Sequence, residues 1–155
     1  MTYSIRKAVL ADSESIQKLV KQNAQEGKML HRSLQYIYEH IRDYYVAPNQ
    51  DGDIIGACAF TISQKDLAEV KSLTVDKKFQ KLGIASKLIS AGLEDLQKLG
   101  IIKAFCLTYV PDFFAKLGFS IVTKESLPHK IWTECINCPQ FPDCDEIAMV
   151  KDLSN

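Results

Sequence analysis

Apolar positions along this chain recur with two periods, near 2 and near 3.6, and the switches between them mark out the elements. Residues Tyr3–Val9 suit a first strand. Ile16, Leu19 and Val20 then share one helical face, with Asp12 expected as the N-cap. Leu34, Ile37, Tyr38 and Ile41 repeat that spacing in a second helix, which begins near Arg32-Ser33 with Ser33 as cap. Tyr44–Ala47 and Ile54–Ile62 read as two strands joined through Asn49-Gln50-Asp51-Gly52. Its Asp-Gly pair is a strong hairpin signal and predicts an antiparallel meander.

Leu67–Val75 is a fourth strand. Ile84, Leu88, Ile89, Leu93 and Leu96 define a long amphipathic helix from Gly83 to Gly100, a glycine suited to the position just past a helix end. Ile101–Tyr109 is a fifth strand, and Pro111 fits the first turn of a short helix reaching Leu117. Gly118-Phe119 opens a sixth strand, and Ile147–Val150 is the last. No repeat, low-complexity tract or linker breaks this order, so residues 1–155 are expected to form a single mixed α/β domain.

Composition narrows the class of partner more than the chemistry. At 155 residues, 46% hydrophobic and 25% charged, the chain can bury about two-thirds of the surface its unfolded form exposes, which excludes disordered and fibrous classes. Nineteen basic and nineteen acidic residues cancel, so no global field favours nucleic acid or an anionic membrane, and any anion site must be local. The N-terminal residues Met1–Lys7 lack a signal-peptide core, and the longest apolar run, Ile54–Phe60, is too short to span a bilayer. A cytoplasmic protein is expected. Five cysteines without a secretory signal read as thiols or metal ligands, and Cys58 and Cys106, isolated in strands, as core residues.

The chemistry concentrates at Gln80-Lys81-Leu82-Gly83-Ile84-Ala85, a turn between the fourth strand and the long helix. Small residues at Gly83 and Ala85 let backbone N–H groups converge at a helix N-terminus, a geometry that binds phosphate. This turn resembles the acyl-CoA signature of the GNAT superfamily, in which Gln or Arg is followed by two residues, Gly, one residue, then Gly or Ala. Glu26–Ser33, Asp43–Val46, Ala68–Val75 and Leu107–Phe119 extend the similarity to bacterial amino-acid N-acetyltransferases of the short N-acetylglutamate synthase type, as far as about residue 120.

The resemblance implies a mostly antiparallel, twisted sheet of about 6–7 strands with a V-shaped split between the fourth and fifth, flanked by about four helices. Acetyl-CoA would lie in the split. Leu73, Thr74 and Val75 would pair with the pantetheine like an added strand, Gln80, Lys81, Leu82, Gly83, Ile84, Ala85 and Ser86 would hold the pyrophosphate, and Phe114 would line the same site. A small amine or amino acid, L-glutamate first among them, would be the acceptor; a polyamine, aminoglycoside or protein amine is the alternative, and a CoA-binding module without turnover a third reading. Self-association as a homodimer is left open.

Acetyl transfer to an amine needs a neutral nucleophile and a protonated thiolate leaving group. Glu69 is the candidate base, acting directly or through water, although Glu69 and Lys71 share a strand face and can equally pair or face solvent. Many GNAT enzymes carry a tyrosine acid where this chain has Phe114, which donates no proton. Tyr109 is the candidate in its place, with a bare thiolate leaving assisted by water as the alternative. An acceptor carboxylate requires matched cations, for which Arg32 and Lys71 are the candidates together with Thr108. Tyr109 also stands where glutamate-acetylating relatives often have an arginine.

Between the last two strands, His129, Cys135, Cys138 and Cys144 have the spacing Cys-x2-Cys-x5-Cys with one imidazole. Zinc binding, a redox link and plain packing of thiols around Trp132 all remain open for this loop of residues 126–144, which is expected to shape acceptor choice.

Overall fold

A computed structural model of the protein describes residues 2–25, 31–127 and 146–154. A seven-stranded sheet is built from β1 (Arg6–Lys7), β2 (Tyr44–Pro48), β3 (Ile54–Gln64), β4 (Leu67–Val75), β5 (Lys103–Thr108), β6 (Ser120–Val122) and β7 (Ile147–Asp152). The strand order is β1-β2-β3-β4-β5-β7-β6, and every pairing is antiparallel except β4 with β5. Helices α1 (Ser13–Gln25), α2 (Leu34–Glu39), α3 (Ile84–Leu99) and α4 (Pro111–Lys116) flank it. No helix among the described residues is long and apolar enough to cross a membrane.

Local signals account for most of these boundaries. Ser33 caps α2 by accepting from the Tyr36 N–H at 3.0 Å, as its sequence position predicts. Asn49 Oδ1 accepts from the N–H groups of Asp51 and Asp53, which closes the β2–β3 hairpin.

Two expectations are corrected. Asp12 does not cap α1 from outside: a 3-10 turn over Leu10–Asp12 leads into the helix, and the Asp12 carboxylate reaches back to the Val9 N–H at 2.8 Å. It therefore makes only the reach-back half of a capping box, since Val9 has no side-chain acceptor, with the Arg6 guanidinium on its other side at 2.8 Å. The first strand shrinks to Arg6–Lys7 plus an isolated bridge from Tyr3 to Asn49, with single backbone bonds from the Ser4 N–H to the Pro48 carbonyl and from the Ala8 N–H to the Tyr44 carbonyl beside them.

The sheet carries different helices on its two faces. On one, Ile84, Leu88, Ile89, Leu93 and Leu96 of α3 pack with Cys58, Phe60, Val70, Ala104, Cys106 and Met149. Gly92 matters there, since a Cβ on it would meet the Phe60 ring 2.1 Å away. On the other, Ile16, Leu19, Val20 and Ile37 of α1 and α2 cover Tyr44, Val46, Ala57 and Ala59. Beyond β4 that second face continues as a smaller cluster of Phe105, Leu127 and Ala148.

Candidate active site

The sheet opens where β4 leaves β5. Their parallel ladder consists of Leu67, Ala68 and Glu69 against Lys103, Ala104 and Phe105, after which β5 continues on β7 alone. Past the last shared rung, β4 carries a bulge: Ala57 pairs with Thr74 and Ala59 with Lys71, so three steps on β4 oppose two on β3. Ser72 absorbs the extra residue at φ +56°. A bulge bends its strand and adds twist, which turns the end of β4 away from β5 and leaves one edge of Leu73–Val75 without a ladder partner. That edge offers N–H and C=O groups to an extended ligand.

The turn from β4 into α3 lies beside this edge. Lys81 and Gly83 both take left-handed backbone, φ +68° and +81°. Gly83 is the residue at the α3 N-terminus, and a left-handed turn feeding a helix directs its first N–H groups outward. Lys81, Leu82 and Gly83 are exposed, and Ala85 and Ser86 half-buried. The Ile84 side chain is core, so that residue presents only its backbone outward. Gln80 spends its side-chain amide on the Val75 carbonyl at 3.3 Å, which ties the turn to the end of β4. The residues expected to hold acyl-CoA thus form one continuous wall, apart from Phe114. That ring is buried edge-on between Phe113 and Phe119.

The acceptor-side candidates meet on the opposite face. Val70 points into the α3 core, so its neighbours Glu69 and Lys71 face α1 and α2. Lys71 Nζ donates to Tyr36 Oη at 2.9 Å, and the Arg32 guanidinium lies over the same ring, 4.4 Å from its centroid. His40, just past the end of α2, stacks on Tyr36 with ring centroids 4.0 Å apart. Two cations drawn from different elements therefore converge on one phenol. Glu69, 6% exposed, stands one strand position inward at the last rung before the split.

Two expected residues have other engagements. Thr108, at the end of β5, accepts from the Val110 N–H at 2.9 Å, so its hydroxyl organises the entry to α4. Tyr109 lies beyond β5, 37% exposed. Cys58 and Cys106 are buried core thiols, as expected. Burial, with the charges of Glu69 and Glu146 adding to it, pushes the Cys106 thiol up to about 12. His129, Cys135, Cys138 and Cys144 lie outside the described residues.

Three residues at this site escape sequence reasoning. Tyr36 lies in the first turn of α2, and Arg32 reaches it from the chain just before the Ser33 cap. Ser72 carries no signal in the sequence. Tyr44 is wholly buried, and its row across the sheet runs Tyr44, Ala59, Lys71. The small Ala59 lets the phenol lie toward β4. Its oxygen is fully desolvated there, with the Ser72 side chain beside it. Burial pushes the Tyr44 phenol up to about 12, and the adjacent Ser72 side chain and the Arg32 charge offset only part of this.

Similarity to known proteins falls on the same segments. The model of the "Acetyltransferase (GNAT) family" matches residues 13–119. An uncharacterized N-acetyltransferase of Chlorobaculum tepidum is 42% identical over 149 residues, 96% of each chain. An amino-acid acetyltransferase of Neisseria meningitidis is 30% identical over 127 residues, 81% of this chain but 29% of that protein. Among solved structures, N-acetylglutamate synthase from Neisseria gonorrhoeae, complexed with coenzyme A and N-acetyl-glutamate, superposes with a TM-score of 0.87 at 25% identity. All of this chain is covered, which amounts to 36% of that one.

Proposed function

Because the chain belongs to the GNAT acetyltransferase family, and so is an acyl-CoA-dependent N-acetyltransferase, we propose that it acetylates the amino group of a small carboxylate-bearing amine, with L-glutamate as the acceptor. The observation that carries this reading is the convergence of Arg32 and Lys71 on Tyr36, on the sheet face opposite α3. A half-buried pair of cations held by an aromatic ring suits a carboxylate, and repels the polyamines and aminoglycosides that would otherwise compete. The synthase from Neisseria gonorrhoeae, whose structure holds N-acetyl-glutamate, supports the same choice; a cytoplasmic role at the entry to arginine synthesis is part of the proposal.

In this reading the acetyl donor lies along the open edge of Leu73–Val75, with its pyrophosphate at the N–H groups of residues 81–86. Arg32 and Lys71 fix the acceptor carboxylate so that its amine meets the thioester through the split. The amine nitrogen attacks the carbonyl carbon; the C–N bond forms, the C–S bond breaks, and CoA leaves as thiolate. Glu69, directly or through water, takes the proton lost by nitrogen, and the thiolate gains one from solvent or Tyr109. Phe114 takes no part in that transfer. A different amine in the same reaction is the second reading, favoured by Tyr109 standing where the resemblance expects an arginine.

Free CoA release, assayed with the common amino acids and spermidine as acceptors, tests this. L-Glutamate is expected to give the highest kcat/KM, and Glu69→Gln to lower kcat by about 100-fold, as loss of a general base does. Turnover of spermidine without turnover of any amino acid would overturn it.

A further inference from the structure

Arg32, whose guanidinium rests on Tyr36, also borders the surface. It lines a depression of about 360 Å³ between α1 and the chain entering α2, together with Glu14, Gln17, Lys18, Lys21 and His31. Positions 14, 17, 18 and 21 form one stripe of α1. A polar stripe on a surface helix is ordinary, and by itself would mean only a solvated face. Here a second segment closes it: Gln17 Nε2 donates to the Arg32 carbonyl at 3.3 Å, which holds His31-Arg32 against the helix.

Among the described residues, Lys18, Lys21 and Arg32 place three fixed positive charges around this hollow, against the one negative charge of Glu14. In a chain whose nineteen bases and nineteen acids cancel, that excess is a local property. A concave wall of one sign concentrates anions at its mouth. Both lysines are exposed, so they can act on a passing solute without being part of the reaction centre.

We infer that this hollow is the port by which an anionic acceptor is gathered and passed to Arg32, with Lys18 and Lys21 raising its local concentration without touching the chemistry. The inference rests on the carboxylate-acceptor reading above and adds a route and a charge requirement to it. It predicts that the two lysines act through kcat/KM alone, and only while salt does not screen them. Glutamine, the neutral-side-chain analogue of glutamate, should feel them less.

The test compares the wild-type chain with the Lys18→Glu/Lys21→Glu double variant, using L-glutamate and L-glutamine as probes, from about 20 mM to about 300 mM ionic strength, where the screening length falls from above 20 Å to below 8 Å. At the low end the variant is expected to lose about tenfold in kcat/KM for glutamate, and at the high end no more than about twofold, with kcat and the KM for acetyl-CoA unchanged. An equal loss at every ionic strength, or none at the lowest, overturns the port while leaving glutamate as acceptor. A wild-type chain that acetylates no carboxylate-bearing amine overturns the acceptor reading, and the port with it.

Discussion

Lys71 and Thr74 are three residues apart on β4, yet both face α1 and α2. Lys71 reaches Tyr36 of α2, and the Thr74 hydroxyl donates to the Leu19 carbonyl of α1 at 3.1 Å and accepts from Asn23. In a regular strand, residues three apart point to opposite faces. The bulge at Ser72 supplies the missing half-turn, and the same residue that redirects Thr74 bends the end of β4 beyond its last shared rung with β5 at Glu69.

Ser72 is therefore the place where backbone and side chain ask for different residues. Its φ of +56° suits glycine and penalises a β-branched side chain. Ser72→Gly is expected to leave stability within about 0.5 kcal/mol, and Ser72→Val to lower it by about 1–3 kcal/mol. Urea denaturation of both variants checks this; a stable Val variant would mean that the bulge relaxes elsewhere.

At Tyr36 the two cations can be separated by mutation. Lys71→Met removes a charge-assisted contact and should raise the acceptor KM about 10- to 100-fold, while the KM for acetyl-CoA stays within about twofold. Tyr36→Phe keeps the ring under Arg32 and loses only the oxygen that accepts from Lys71, so about a threefold rise is expected. Steady-state kinetics with each substrate varied in turn distinguishes the two. Equal effects on both KM values would place Lys71 outside the acceptor site.

The buried hydroxyl of Tyr44 makes an unusual claim about stability. With the oxygen desolvated and only the Ser72 side chain beside it, Tyr44→Phe removes a buried polar atom at little cost and should change stability by no more than about 1 kcal/mol. There is a matching pH signature. The folded-state pKa near 12 lies above the ordinary tyrosine value of 10, so the folded protein retains a proton that the unfolded chain gives up. Stability from this group is whole below pH 10 and is lost as pH rises toward 12, by about 1.4 kcal/mol per unit. The difference in stability between wild type and Tyr44→Phe should thus fall through this window. A flat difference would show the phenol titrating normally.

Much of this arrangement is legible in the sequence because it rests on local rules. The 3.6 spacing of Ile84 through Leu96 predicts α3 to within a residue at each end, and the left-handed Gly100 closes it. The Asp51-Gly52 turn, the Ser33 cap and the α3-leading turn at Gly83 are likewise written in residue types whose conformational preferences are strong. Arg32 and Lys71 were expected together and meet on Tyr36.

What stays hidden depends on partners far along the chain. Nothing about Ser72 as a residue announces a bulge, since the extra position exists only in register with Ala57 and Ala59. Asp12 looks like an N-cap until Arg6 and the Val9 N–H are close enough to claim its carboxylate. Thr108 has the chemistry of a substrate contact but sits two residues before an amide that needs an acceptor. The order β5-β7-β6, with the last strand inserted between two earlier ones, follows from long-range packing that no window of sequence contains.

The short ladder between β4 and β5 divides the sheet into two panels. One holds β1 to β4 with the cluster under α1 and α2, the other β5, β7 and β6 with the cluster around Phe105, and three residue pairs and the α3 core join them. A donor that lies along Leu73–Val75 fills the seam where strand pairing is missing. A donor held in the seam at about 100 times its dissociation constant adds about 2.7 kcal/mol to the stability of the folded chain as a whole. The supply of acetyl-CoA in the surroundings becomes a determinant of how long the folded chain survives, as well as how fast it works.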